Sequence, residues 1–206
     1  MMPDNKKLQV DREIFLQAIN AHESALQTFK SEGYPVIKTI VETIIRCFRQ
    51  NGKILLAGNG GSAADCQHLA GELLGRYKKD RHPLPAISLA ANPSVITCIS
   101  NDYDSESVFS RQIQTLGNKQ DLLWAFSTSG KSPNILKAVM AAKQAGMKII
   151  AFTGTSNTEL EKHAHLCLCS HSDHTGHAQE IHQIAYHIIC EYIDRFYEEN
   201  STTIEE

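Results

Sequence analysis

Residues 53–77 read KILLAGNGGSAADCQHLAGELLGRY, and the fold is decided there. The apolar run at 53–57 reads as a buried strand. A turn rich in glycine, Gly58-Asn59-Gly60-Gly61-Ser62, follows at once, and 61–77 then carry a helical pattern. Strand, tight turn and helix in that order make the first half of a βαβ unit.

Working outward, the alternation repeats. Residues 85–89 form a second strand, with a helical stretch through Ile99. A third strand at 121–126 is followed by a helix at 133–145, closed by Gly146. Lys148–Thr153 is the fourth strand, 166–170 the fifth, and 178–197 a long final helix. This pattern predicts an α/β fold, a five-stranded parallel sheet with helices on both faces. Right-handed crossovers then bring every strand-to-helix turn to the carboxyl edge of the sheet. Ahead of the sheet, one helical stripe holds Phe15, Ile19, Leu26 and Phe29. A second follows Pro35, with Ile37, Ile40, Val41, Ile44, Ile45 and Phe48, and ends at Asn51-Gly52. The expected organisation is an antiparallel helix pair over 1–52, packing partly on other subunits, a sheet domain over 53–200, and a frayed tail at 201–206.

Bulk properties exclude several classes. The chain has 206 residues, 42% hydrophobic and 21% charged, enough for one large domain with a real core. Its formal charge of −3 gives no electrostatic footprint for nucleic acid. No apolar run reaches the roughly 18–20 residues that span a bilayer, and the N-terminus leads into a polar helix pattern. A cytoplasmic protein is expected. Its 6 cysteines form no C-x-x-C pair and sit mostly in apolar segments, which favours buried free thiols in a reducing compartment.

Two of the strand-to-helix turns look like phosphate cradles. One is 58–62; the other is Ser127-Thr128-Ser129-Gly130-Lys131-Ser132. A helix N-terminus presents unpaired N–H groups and the positive end of the dipole, and glycine admits an anion to the backbone. The hydroxyls of Ser127, Thr128, Ser129 and Ser132 add donors without charge, which suits a monophosphate that must also leave. Neither turn is a nucleotide fingerprint: G-x-G-x-x-G does not fit, and Ala125 stands where the P-loop needs its first glycine. Ordinary N-caps favour the same residue types. Two such turns at one sheet edge tip the reading toward phosphate.

Next to the first turn, His68 and Glu72 are four apart and share a helix face. On the final helix, Gln179 and His187 are eight apart, within about 80° of one another at about 100° per residue, with His182 between them. Glu72 and His187 suit the acid and base of an aldose–ketose isomerase, which moves a proton between adjacent carbons. Two histidines, a glutamate and an amide oxygen also suit one zinc ion. Residues of these types on amphipathic helices are more often solvated or hydrogen-bonded than catalytic, and His163, His165, His171 and His174 read as surface or loop positions. Spacing alone does not bring the two helices together.

The stretches GNGGSAADCQHLAGELLGRY (58–77), SND (100–102), FSTSGKS (126–132) and QEIHQIAYH (179–187) resemble the phosphosugar-isomerase (SIS) domain proteins, and most of all their heptose-phosphate isomerase branch. The serine-rich loop marks the whole family. His68 and Glu72 combined with Gln179 and His187 mark the isomerase branch. The resemblance implies a flavodoxin-like three-layer αβα sandwich and a cytoplasmic homotetramer with active sites between subunits. It implies conversion of sedoheptulose 7-phosphate to D-glycero-D-manno-heptose 7-phosphate through an enediol, the first step toward ADP-heptose for lipopolysaccharide core. By position, Ser127, Thr128, Ser129 and Ser132 would hold the phosphate. Asn59, Gly60, Gly61, Ser62, Glu72, Asn101, Asp102 and Gln179 would bind the sugar, Glu72 and His187 would be catalytic, and His68, Glu72, Gln179 and His187 would bind zinc. Lys131 departs from the family's usual asparagine and His177 from a common arginine. The rival readings are a non-catalytic adaptor that binds a replication initiator, whose branch lacks the glutamate matching Glu72, and an isomerase of another sugar phosphate.

Overall fold

The computed structural model describes residues 11–201. Residues 1–10 and 202–206, and with them nearly all of the tail expected to fray, lie outside the described residues.

Five strands form one wholly parallel sheet: β1 (Ile54–Ala57), β2 (Ala86–Ser88), β3 (Leu122–Ser127), β4 (Lys148–Thr153) and β5 (Leu166–Cys169), in the order β2-β1-β3-β4-β5. Register is set by pairs such as Ile54↔Leu122 and Leu122↔Lys148. Alternate residues of a strand point to opposite faces, so each strand feeds two cores. Ile54, Leu56, Trp124, Phe126, Ile150 and Phe152 pack under α1 (Arg12–Arg49), α2 (Gly61–Leu74) and α7 (Thr175–Ser201). Leu55, Ala57, Leu123, Ala125, Ile149 and Ala151 pack under α3 (Pro93–Asp102), α4 (Ser110–Leu116), α5 (Pro133–Gln144) and α6 (Glu159–His163). The result is the expected αβα sandwich.

The N-terminal helix pair is corrected to one helix. α1 runs unbroken for 38 residues with Pro35 inside it. Its buried stripe Ala25, Phe29, Gly33, Ile37, Ile40, Val41 and Ile44 keeps helical register straight through the proline. Pro35 sits on the exposed side, where water can reach the carbonyl group that its missing N–H leaves without a partner. A proline inside a helix costs about 3 kcal/mol, less than the apolar burial on either side of it supplies at about 1.5–3 kcal/mol per large side chain.

Smaller differences have local causes. α2 stops at Leu74, where the Gly75 N–H bonds the Gly71 carbonyl at 2.8 Å. α3 runs on past Ile99 to take in Asn101 and Asp102. α4 and α6, of 7 and 5 residues, are too short to show a periodicity. Cys47, Cys66 and Cys190 are buried thiols, but Cys98 is exposed.

Candidate active site

β1 and β3 are neighbours in the sheet, yet their helices leave in opposite directions: α2 covers one face and α5 the other. The crevice between such strands is where open α/β sheets bind ligands. Here it is a cavity of about 230 Å³ lined by Asn59, Gly60, Gly61, Ser62, Phe126, Ser127, Thr128, Ser132, Thr175 and Gln179. The first turn is tied to the start of α5 by a reciprocal amide pair, Asn59 Nδ2 to Asn134 Oδ1 at 2.9 Å and Asn134 Nδ2 to Asn59 Oδ1 at 2.8 Å. Within the second turn, Ser127 Oγ lies 3.0 Å from Ser132 Oγ and 3.5 Å from Ser129 Oγ, which also accepts from Lys131 N–H at 3.2 Å. Gly130 has φ +62°, and a Cβ there would run into the Thr158 side chain. Gly61 is required for a different reason: a Cβ would sit 2.6 Å from Gln179 Nε2. A larger concavity, about 630 Å³ around Arg46, Lys119 and Lys148, lies at the opposite, amino edge of the sheet. The C-terminal ends of α1 and α5 lie at that edge, so its cations complement helix carbonyls.

α2 and α7 lie side by side and carry the second group. His68 Nε2 stands 2.9 Å from Glu72 Oε1, and one donor atom each from His68, Glu72 and His187 lie within 4.8 Å of one another. The His187 ring stacks on Tyr77 with centroids 5.3 Å apart. Burial, followed by the His68 charge, lowers the His187 pKa from its usual value. Two imidazoles and a carboxylate at this separation fit a divalent ion with an open fourth position.

The remaining expected residues fall as follows. Gln179 packs on Gly61 in the cavity, eight residues or about 12 Å along α7 from His187. Ser129 is exposed on its loop, and Lys131 is also exposed. Asn101 and Asp102 are exposed at the end of α3, hydrogen-bonded to each other at 2.8 Å, and are not among the cavity's lining residues. His182 is a core residue: fully buried, its Nε2–H donating to the Thr153 carbonyl at 3.0 Å. Burial drops its pKa to about 4.

Four contributors went unread in the sequence. Thr175 lies ahead of the point where the helical pattern of α7 became visible. Tyr186 and Gln183 approach His68 Nδ1 at 3.0 and 3.5 Å, and Asp65 accepts from the Tyr186 hydroxyl at 3.5 Å. Burial raises the Asp65 pKa to about 6. Tyr186 and Gln183 lie inside the motif QEIHQIAYH, but nothing in its spacing says which side chains face α2.

Comparison with known proteins follows the same lines. The SIS domain family matches residues 17–154. A phosphoheptose isomerase of Roseiflexus sp. is 46% identical over 161 residues, 78% of this chain and 82% of the relative. One from Helicobacter pylori is 44% identical over 177 residues, 86% of this chain and 92% of that one. The chain belongs to the phosphoheptose isomerase family. The solved phosphoheptose isomerase of Neisseria gonorrhoeae superposes with a TM-score of 0.84 at 34% identity, covering 89% of this chain and 98% of that one. Membership of this family makes the chain an isomerase, and the adaptor reading is not favoured.

Proposed function

We propose that the cavity and the trio act on the two ends of one open-chain sugar phosphate, sedoheptulose 7-phosphate, and convert it to D-glycero-D-manno-heptose 7-phosphate. The observation that carries this reading is the spacing along α2. Ser62 lines the cavity, and His68 lies six residues, about 9 Å, further along the same helix. Helical side chains lean back toward the N-terminus, so His68 and Glu72 face a chain whose phosphate sits in the cavity. A seven-carbon chain extends over that distance.

Ser127, Thr128, Ser129 and Ser132, with the N-termini of α2 and α5, hold the phosphate. Asn59, Gly60, Gly61, Ser62 and Gln179 contact the sugar. Glu72 removes a C1 proton, exchanges it with solvent while the enediol stands, and delivers a solvent-derived proton to C2, while neutral His187 carries the O1 hydroxyl proton to O2. Bonds and protons balance through a cis-enediol. His68, Glu72 and His187 would hold zinc, which when bound polarises the substrate oxygens. Glu72 and His187 each have a second donor atom, a carboxylate oxygen and a ring nitrogen, left available by a metal bound at the first.

The assembly is proposed to be a cytoplasmic homotetramer. Ile14, Phe15, Leu16 and Ile19 expose an apolar stripe at the start of α1, a surface suited to a second copy. Asn101 and Asp102, which are not among the residues lining the cavity of their own chain, would reach a site shared between subunits. No helix among the described residues is long and apolar enough to cross a membrane. The product would supply the heptose of lipopolysaccharide core.

The test is incubation with sedoheptulose 7-phosphate in deuterated water, followed by NMR and mass spectrometry. Aldoheptose phosphate with deuterium at C2 is expected. Absence of product, with and without zinc, would overturn the reading.

A further inference from the structure

Tyr186 is fully buried on α7. Its hydroxyl is 3.0 Å from His68 Nδ1 and donates to Asp65 Oδ1 at 3.5 Å. His68 Nε2 faces the other way, 2.9 Å from Glu72 Oε1. A phenylalanine would fill the same space at 186, so packing alone does not call for the hydroxyl. Nor does packing call for Asp65, whose Oδ2 is buried with no hydrogen-bond partner among the described residues. A carboxylate held this way is costly. The cost has a use if its charge acts, through the phenol, on His68.

The chemistry of the imidazole gives the direction. A ring nitrogen that ligates a metal offers its lone pair, so the other nitrogen carries the proton and seeks an acceptor. With Nδ1–H donating to the Tyr186 oxygen and the Tyr186 hydroxyl donating to Asp65, the Nε2 lone pair is presented toward Glu72 and His187. We propose that Tyr186 and Asp65 are positioning residues for metal binding, holding the His68 ring and its Nδ1–H tautomer through the series Asp65, Tyr186, His68. Gln183, at 3.5 Å from the same nitrogen, is the weaker neighbour. The inference rests on the reading of His68, Glu72 and His187 as a metal site.

The experiment is a zinc titration of the purified full-length chain against a chromophoric chelator, with circular dichroism and oligomer size as controls. Tyr186→Phe is expected to raise the zinc Kd about 10–100-fold, the usual effect of losing an outer partner of a ligand histidine. Asp65→Asn, whose amide oxygen still accepts from the phenol, is expected at the low end of that range, about tenfold. His187→Ala tests the site itself. If the unaltered chain binds no zinc, or His187→Ala binds it equally well, the metal reading fails and this inference falls with it. If His187→Ala weakens binding while folded Tyr186→Phe retains the original Kd, only the positioning role is overturned. Should Tyr186→Phe fail to fold, Asp65→Asn decides: unchanged affinity overturns the inference, and a loss of about tenfold supports it.

Discussion

Arg81 fastens the end of α2 to α7: its Nε donates to Asp194 Oδ1 at 2.7 Å while its Nη2 donates to the Glu72 carbonyl at 2.8 Å. Both charged side chains are 1% exposed. The backbone N–H groups of Lys78 and Lys79 donate to the other Asp194 oxygen at 2.7 and 2.9 Å, and Arg81 Nη1 donates to the Leu73 carbonyl at 2.9 Å. The loop after α2 is thereby closed, and the main chain at Glu72 is held from behind. Removing one partner leaves a buried charge unmatched. Arg81→Ala is expected to lower unfolding free energy by about 3–5 kcal/mol in urea denaturation. The double variant Arg81→Ala, Asp194→Ala should lose less than the sum of the two single losses. A loss under about 1 kcal/mol for Arg81→Ala would put this pair on a par with an exposed one.

Glu72→Gln keeps the size of the side chain and removes the proposed base. The fold and the affinity for inorganic phosphate should be unchanged, while kcat falls at least about 100-fold, the usual scale of a lost general base. Circular dichroism, phosphate inhibition and steady-state kinetics on one preparation separate these effects. Turnover near the original rate would remove Glu72 from the proposed step.

The sheet was legible because its strands are short apolar runs set off by glycine turns, as at 53–61. α1 was misread because a proline is a strong local stop signal, and only the burial of Phe29, Gly33 and Ile37 along one continuous stripe shows what overrides it. The cavity residues were legible for a similar reason: a turn such as 127–132 announces its chemistry in consecutive residues. The partners of His68 were not. Asp65 and Tyr186 come together across 121 positions of sequence, and which faces of α2 and α7 meet depends on packing that no local pattern records. His182 shows the converse. It sits among functional residues in the sequence, but its place against Phe126 and Phe152 makes it part of the core.

That core position gives His182 a pH signature. Unfolded, its imidazole takes up a proton near pH 6.5. Folded, it stays neutral down to about pH 4. The unfolded state therefore binds more protons between those values, and stability rises with pH across the window. The contribution is fully present above about pH 6.5 and is lost as pH falls toward 4, at up to about 1.4 kcal/mol per pH unit. His182→Gln retains a donor for the Thr153 carbonyl but does not titrate. Denaturation midpoints measured from pH 4.5 to 7 should show a shallower slope for His182→Gln than for the unaltered chain. Parallel slopes would mean that other groups carry the acid sensitivity.

Ser132 offers the cleanest test of the phosphate cradle. Ser132 lines the cavity, its hydroxyl lies 3.0 Å from Ser127 Oγ, and at the N-cap position of α5 it makes no side-chain capping bond that would occupy that hydroxyl. A phosphate is held equally in the ground state and the transition state, because no bond to it changes during isomerisation. Loss of a uniform contact raises KM and leaves kcat nearly unchanged. For Ser132→Ala the expected rise in KM is about 5–30-fold, one charge-assisted hydrogen bond of about 1–2 kcal/mol. Inhibition by inorganic phosphate should weaken by a similar factor, since that anion would contact the same hydroxyl. A fall in kcat at constant KM would instead place Ser132 at the reacting carbons, and the assignment of this turn to the phosphate would have to be given up.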